Sequence, residues 1–392
     1  MGKIYFDHSA TTPLDPRVVE SMLPFYGASF GNPSSIHSDG QEAKEAIDLG
    51  RQQVADLLHA SPDEIIFTAS GTEADNMALI GVAAQYKPQD CHLITSVFEH
   101  PAILETCKYL ERQGYAVSYL PINSDGIVEP ESLIQAQRPN TRLVSIMAAN
   151  NVVGTLQPID ALARITKEHG ALFHTDAVQA VGKIPLHMDT TPIDMLSLSA
   201  HKLHGPKGIG ALYIRQGVTI EPLIHGGGQE RGIRSATENV AGIVGLGKAA
   251  ELANAEMNAE TRRLVKIRDR ILTSIAEQVP NAYLIGHPIK RLPGHICLGV
   301  AGHESDAILL MLLLNEDGIS ISTGSACSSH HAGQPSYILM AMGMDTEQAR
   351  GSLRITLGRF STEQEADIFL EALPRAIGNL SPVASPEFVA VA

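Results

Sequence analysis

The stretch Met195-Leu-Ser-Leu-Ser199-Ala-His201-Lys202 decides how this chain is read. Its first five residues form an apolar, strand-like run, and Gly205-Pro-Lys-Gly208 follows as a turn, which places the lysine at a strand end. Outward from it, Ile65–Thr68, His92–Ser96, Val117–Leu120, Leu143–Ala148, Leu172–Thr175 and Gly210–Ile214 are further strand-like runs, separated by longer amphipathic stretches. One of these, residues 158–169, carries Ile159, Leu162 and Ile165 at helical spacing and Gly170 as a stop, and reads as a crossover helix. Such alternation predicts an α/β fold of βαβ units around a mainly parallel sheet. In that architecture ligands bind at the C-terminal ends of the strands.

Residues with chemical capacity follow most of these runs: Gly71-Thr-Glu-Ala-Asp-Asn76, His100, Asn151, Asp176 and Lys202. A lysine can carry an aldehyde cofactor, and an acid two strands away can keep a pyridine nitrogen protonated; together they fit pyridoxal 5'-phosphate (PLP). Singly, a lysine is usually a solvated charge and an Asp after a strand a capping residue. Their convergence on one sheet edge carries the argument. The phosphate is expected at the helix opened by Gly71 and Thr72, where unpaired N–H groups and the helix dipole favour an anion. Ser199, His201 and Thr237 are further phosphate donors, and Thr237, beyond the Gly226-Gly-Gly228 loop, could serve a neighbouring subunit, which points to a dimer. His100 is placed to stack on a pyridine ring and shuttle protons, with a helix-capping role as the local alternative. Arg354 offers a planar two-pronged partner for a substrate carboxylate, a surface ion pair being the ordinary role of such a residue.

Cys327 stands apart from the other three cysteines. It lies in Ser322-Thr-Gly-Ser-Ala-Cys-Ser-Ser329, small polar residues that read as a loop able to bring a thiol to the site and away from it. Cys91, Cys107 and Cys297 read as interior residues. The four spacings match neither a zinc knuckle nor a disulfide framework, so no metal site is expected and a reducing cytoplasm is the simplest setting. A site built from Cys327, His330 and His331 is disfavoured, because adjacent histidines do not readily face one ion.

Composition narrows the function further. The net charge of −14 with no basic run argues against nucleic acid and anionic membrane as partners. The start, Met1-Gly-Lys-Ile-Tyr-Phe6, shows no apolar signal core, and no run reaches the length of a membrane span. At 392 residues two domains are expected. Composition shifts near residue 255, where Glu256–Arg270 reads as a long helix with Leu264, Ile267 and Ile271 on one face; further strands are expected at 295–300, 318–322 and 353–357, and helices at 306–315 and 362–377. Residues 381–392 lack periodicity and read as a loose tail.

Nearly the whole chain, in order, resembles the PLP-dependent cysteine desulfurases of the NifS/IscS-like group, aminotransferase fold type I. The resemblance rests on Tyr5-Phe-Asp-His-Ser-Ala-Thr-Thr-Pro13, Phe30-Gly-Asn-Pro33, Thr68–Asn76, Glu99-His100, Asn150-Asn151, His174–Gln179, Ser199–Gly210, His225–Thr237, Thr323-Gly-Ser-Ala-Cys327 and Leu353–Phe360. It implies a large domain with a seven-stranded sheet (residues 16–258), a smaller α+β domain (259–392) and an N-terminal arm (1–15) packed on the latter. It implies that Lys202 forms the Schiff base, Asp176 pairs with the ring nitrogen and Gln179 bonds the phenolic oxygen. Thr72, Ser199, His201 and, across a homodimer, Thr237 would hold the phosphate, and His100 would stack on the ring. Asn32, Asn151 and Arg354 would grip the carboxylate of L-cysteine, and Cys327 would accept its sulfur as a persulfide, releasing L-alanine and supplying an acceptor such as an iron–sulfur scaffold. Val152 stands where relatives usually carry an acid, and the His330-His331 pair and the tail also depart from the pattern. A PLP-dependent β-lyase or selenocysteine lyase is the alternative enzyme, and a non-catalytic docking subunit the alternative class.

Overall fold

The computed structural model describes residues 3–324 and 334–380. Cys327, His330, His331 and the 381–392 tail lie outside the described residues. The strands are β1 (Ile4–Tyr5), β2 (Ile65–Thr68), β3 (His92–Ser96), β4 (Ala116–Leu120), β5 (Thr141–Ser145), β6 (Leu172–Asp176), β7 (Met195–Ser199), β8 (Gly210–Ile214), β9 (Ala282–Leu284), β10 (His295–Val300), β11 (Ile319–Ser320), β12 (Ser322–Thr323) and β13 (Leu353–Thr356). Helices separate the strands over most of the chain.

Seven of the strands form one sheet in the order β2-β8-β7-β6-β5-β3-β4. Only β8 runs against its two neighbours; the other pairings are parallel. Side chains along these strands alternate between two cores. Phe67, Ile94, Val144, Phe173, Leu196 and Ala211 bury into one core, with the helices Ser38–Leu58, Ile159–Glu168 and the front half of Val240–Gln278. Their sequence neighbours Ile66, Leu93, Leu143, Met195 and Leu212 bury into the opposite core, against the helices Gly71–Ala83 and Pro101–Arg112. A sheet covered on both faces takes apolar residues on both sides of a strand, which is why Ile65-Ile-Phe67, Leu93-Ile94, Leu143-Val144 and Leu172-Phe173 read as short continuous runs, with buried Ser, Thr and His between and after them. Each fully buried Leu, Ile or Phe contributes about 1.5–3 kcal/mol.

The long helix Val240–Gln278 begins well before the charged stretch at 256 that announces it in the sequence. Its first turns are rich in glycine, which disfavours helix by about 1 kcal/mol per residue. Packing overrides that penalty: a Cβ on Gly247 would lie 2.5 Å from Gly50 Cα, so the two helices cross backbone to backbone where only glycine fits. The rear half of the helix, with Leu264, Ile267, Ile271 and Ile275, joins Phe369 and Leu373 of the Glu363–Gly378 helix over a four-stranded sheet, β12-β13-β10-β9. That sheet is antiparallel throughout.

The expected strand at 318–322 is two short ones that part at Ile321. β11 pairs in parallel with β1, and β12 pairs with β13. Through β1 the N-terminal residues Ile4 and Phe6 enter the same core, Phe6 meeting Phe369 edge to face at 5.9 Å. From there the chain crosses to the large sheet: Ser9 N–H donates to Thr356 Oγ1 (3.0 Å), and Thr12 N–H donates to the His201 carbonyl (3.0 Å).

Candidate active site

The C-terminal ends of β2, β3, β5, β6 and β7 open on a cleft of about 650 Å³, within the range of cofactor sites. Gly71, Thr72, His100, Asn151, Asp176, Gln179, Ser199, His201, Lys202 and Arg354, ten of the residues singled out in the sequence, all line it.

Lys202 ends the short 3-10 turn that follows β7, so its amine projects into the cleft from a rigid strand. Its Nζ donates to the carbonyls of Ser9 and of Ala10, the latter at 2.8 Å. Asp176 closes β6 and is 6% exposed, with Oδ1 accepting from Val178 N–H at 2.9 Å. Burial pushes its carboxyl up; His100 when that ring carries a proton, the Val178 N–H and the charge of Lys202 act in the opposite direction without cancelling the rise. His100 caps the Pro101–Arg112 helix, its Nδ1 accepting from Ala102 N–H at 3.1 Å. An accepting Nδ1 leaves the proton of the neutral ring on Nε2. Burial lowers this imidazole's pKa, so neutrality is its resting state. His201 pairs through Nδ1 with Thr11 Oγ1 at 3.1 Å, and burial with the nearby charge of Lys202 lowers it to about 4.

At one end of the cleft the Gly71–Ala83 helix points its N-terminus inward, capped by Ser70, whose Oγ accepts from Glu73 N–H at 3.1 Å. A Cβ on Gly71 would lie 2.6 Å from Val178 Cγ2 and 3.4 Å from Ser199 Cβ, so glycine keeps this anion cradle open. Hydroxyls of Thr72 and Ser199, the His201 imidazole and the Lys207 amine surround it. A phosphate suits this donor set. The buried Asp176 carboxyl lines the same cleft, where a cationic partner would hold it ionised. An anion cradle, an amine and a buried acid in one cleft fit PLP and its Schiff base.

Arg354 projects from β13 on the face opposite its neighbours Leu353 and Ile355, which are buried in the small sheet's core. It is 1% exposed; Nη2 pairs with Asp7 Oδ1 at 2.8 Å and Nη1 donates to the Asn151 carbonyl at 3.1 Å. The arginine is therefore a buried group at the cleft wall and not a surface ion pair. Val152 is buried, and its carbonyl accepts from His295 Nε2 at 2.9 Å. Ser322 also lines the cleft, and it pairs across strands with Arg354.

Two sequence candidates lie elsewhere. Asn32 is exposed, its Oδ1 accepting from Ser34 N–H at 2.9 Å, and it does not line the cleft. Thr237 lines a neighbouring opening with Ala69, Arg234 and Glu238 that meets the cleft only at Gly208. Cys327 is outside the described residues, which run to Gly324 and continue from 334. Cys91, Cys107 and Cys297 are buried, their thiols pushed up to about 11, 12 and 12 mainly by burial, as inert interior cysteines should be. Sequence reasoning missed Asp7, Ser9, Asp75 and Lys207 in the lining. The first two stood in the quoted N-terminal motif, which was the available signal. Away from the cleft, His59, His187 and Asp189 approach one another within 4.8 Å, but the imidazoles stack at 4.0 Å with a 33° tilt, which suits ring packing better than sharing an ion.

With that geometry in place, the chain matches the aminotransferase class-V family over residues 4–369. It belongs to that family. The chain is 48% identical over 381 residues to the cysteine desulfurase IscS of Dictyoglomus turgidum, covering 97% of this chain and 96% of that protein. Against the cysteine desulfurase IscS of Methanosarcina thermophila it is also 48% identical, over 388 residues, covering 98% and 95% respectively. A solved NifS-like protein superposes with a TM-score of 0.90 at 41% identity, covering 96% of this chain and all of the other. The fold is that of PLP-dependent transferases, and the cofactor of the family is pyridoxal 5'-phosphate.

Proposed function

We infer that this protein is a PLP-dependent cysteine desulfurase, which takes sulfur from L-cysteine and leaves L-alanine. The single observation that carries the reading is the meeting of Lys202, Asp176, Gln179, His100, the Gly71-Thr72 helix start and Arg354 in one cleft, in a chain of this family. When bound, the cofactor supplies an electrophilic carbon and a ring that stores an electron pair released at the substrate Cα.

The protein's own groups do the rest. Lys202 would hold the cofactor covalently, and its amine, in the turn at the end of β7, is the base that would take and return the substrate Cα proton. Asp176 would face the ring nitrogen, whose proton would hold this buried, upward-shifted carboxyl in its anionic form. Thr72, Ser199 and His201 would hold the phosphate with N–H and O–H donors. Gln179 would offer the second hydrogen of Nε2 to the phenolic oxygen, and neutral His100, with its proton on Nε2, would sit against the ring and exchange protons. Arg354 presents the guanidinium, with Asn151 beside it, to the substrate carboxylate. Asp7 already orients that fork.

Cys327 takes the sulfur. As a thiolate it attacks the sulfur of the substrate; the S–S bond forms as the Cβ–S bond breaks, the electron pair leaves with Cβ, and protonation there gives alanine. The enzyme is left with a persulfide, for delivery to an acceptor in iron–sulfur cluster or thiocofactor synthesis.

The protein acts as a homodimer in this reading. Leu23, Tyr26, Phe30 and Ile36 are exposed, Ile36 at 95%, on the segment that also carries Asn32, and an unburied apolar group of that kind suits a subunit interface. Thr237, just outside its own chain's cleft, would then reach the partner's phosphate. We also divide the chain into an arm (1–15), a large unit (16–258) and a small unit (259–392), and place it in the cytoplasm, where unpaired buried thiols persist. Among the described residues no helix is long and apolar enough to cross a membrane. The test is incubation of purified protein with L-cysteine, followed by mass spectrometry. Alanine together with one added sulfur atom on the Cys327 peptide is expected; free sulfide with an unmodified peptide would overturn the desulfurase reading in favour of a lyase.

A further inference from the structure

Behind the cleft lies a second cavity of about 40 Å³. It shares Ser9 and Lys202 with the cleft and adds Lys183, Glu260, His204 and His295. Lys183 Nζ donates to Gln179 Oε1 at 3.3 Å. At the other end of the same carboxamide, Gln179 Nε2 donates to the Ser9 carbonyl at 3.0 Å, the oxygen that also accepts from Lys202. A primary amide has one accepting and one donating end. A donor on Oε1 and an acceptor on Nε2 therefore select one of its two orientations, and the second Nε2 hydrogen remains for the cleft.

The surroundings explain how an amine occupies this place. Part of the residue is solvent-exposed, but its amine is enclosed by protein, and burial, then the charges of Lys202 and Arg354, push it down to about 7; Glu260 pulls the other way. Glu260 is itself held by Arg359 at 3.1 Å. The imidazoles of His8 and His204 are lowered to about 4 and about 3, and that of His295 well below its ordinary value, all mainly by burial. Neutral rings add no positive charge beside Lys183. Thr261 Oγ1 donates to the Lys183 carbonyl at 3.0 Å and ties its backbone to the long helix.

We propose that Lys183 is a positioning residue for the cofactor: from the rear cavity it locks the Gln179 carboxamide with Nε2 toward the phenolic oxygen. The assignment rests on the roles of Gln179 and Lys202 given above. Lys183 makes its side-chain hydrogen bond to Gln179; its charge is also felt at Lys202, and the cycle below separates the two effects.

The experiment is a double-mutant cycle on the holoenzyme with Lys183→Met and Gln179→Ala, reading the pH midpoint of the cofactor's visible absorption, the rate of cofactor release on dialysis and the melting of the cofactor-free protein. Lys183→Met is expected to move the midpoint by about one pH unit and to speed release about tenfold, the effect of one lost hydrogen bond. Melting of the cofactor-free protein should stay within a few degrees. In the Gln179→Ala background the same substitution should add almost nothing, because coupled residues are not additive. A Lys183→Met midpoint unchanged to within about 0.2 unit, or a shift that persists undiminished without Gln179, overturns the proposal. A wild-type protein with no visible band, or a Gln179→Ala protein indistinguishable from wild type, overturns the underlying reading of the site instead. Should Lys183→Met fail to fold, Lys183→Gln, one bond too short to reach Oε1, takes its place in the cycle with the same expectations.

Discussion

Replacing Asp176 by Asn separates what this carboxylate costs the fold from what it gives the cofactor. Asp176 lies at the cleft floor, with two further buried acids, Asp75 and Glu99, close enough to feel its charge. Burial raises its pKa above that of the unfolded chain. An acid raised in this way contributes stability that is present at low pH and lost as pH climbs through the folded value. Asparagine keeps an acceptor for Val178 N–H and removes that loss. Without cofactor, the variant should therefore be more stable than wild type at pH 7 by about 1–3 kcal/mol, the desolvation cost of a buried polar group, and the gain should vanish toward the ordinary carboxyl range near pH 4. With cofactor the sign reverses. Removing one partner of a buried ion pair costs about 3–5 kcal/mol, which weakens cofactor binding by about a hundred- to a few thousand-fold. Denaturant unfolding of the cofactor-free proteins at pH 4 and 7, with equilibrium dialysis against PLP, measures both. A cofactor-free Asp176→Asn protein less stable than wild type at pH 7, or an affinity within threefold of wild type, would refute the reasoning.

Cys327→Ala should retain the visible absorption of bound cofactor and lose persulfide formation, read by mass spectrometry after L-cysteine; full retention of turnover would remove Cys327 from the mechanism. Glu99 accepts from Ser96 Oγ at 2.6 Å and from Met147 N–H, and burial, aided by the charge of Asp176, pushes it up to about 8. The native state should lose roughly 3–5 kcal/mol between about pH 4.5 and pH 8, and Glu99→Gln should flatten that part of the stability profile, as urea midpoints across the range would show. Glu230, 7% exposed, pairs with Arg51 at 2.6 Å and accepts from Phe67 N–H at 2.8 Å. Glu230→Gln leaves the guanidinium without its counter-charge and should cost about 3 kcal/mol, seen as a lower guanidinium chloride midpoint at unchanged slope.

Much of the scaffold was legible because burial on both faces writes itself as unbroken apolar runs. β2, β3, β7, β8 and β10 fall on the residues read as strands, and β4, β5, β6 and β13 differ only at their ends. Residues 146–148 continue the apolar run and so read as strand; beyond the end of β5 their backbone still bonds to β6, Ile146 N–H to the His174 carbonyl and Ala148 N–H to that of Asp176. The start of the long helix was hidden because Gly242, Gly245 and Gly247 signal against helix unless a second glycine-bearing helix is known to lie across them. In the site, residues at strand ends such as Asp176 and Lys202 could be named from position and chemistry. Asp7 could not: its partner Arg354 is 347 residues away, and nothing local marks an acid as the mate of a distant guanidinium. Lys183 escaped for the opposite reason, since a lysine in a turn looks solvated until the cavity around its amine is seen.

The N-terminal residues that wall the cleft hang on the far end of the chain: β1 is held by β11, and His8 and Ser9 by Thr356. During synthesis these residues leave the ribosome first, yet their anchors are made last. The carbonyls that receive Lys202 and Gln179 thus gain their last anchors once the polypeptide has been translated past residue 356, so the wall that faces the vitamin-derived group is completed late in synthesis.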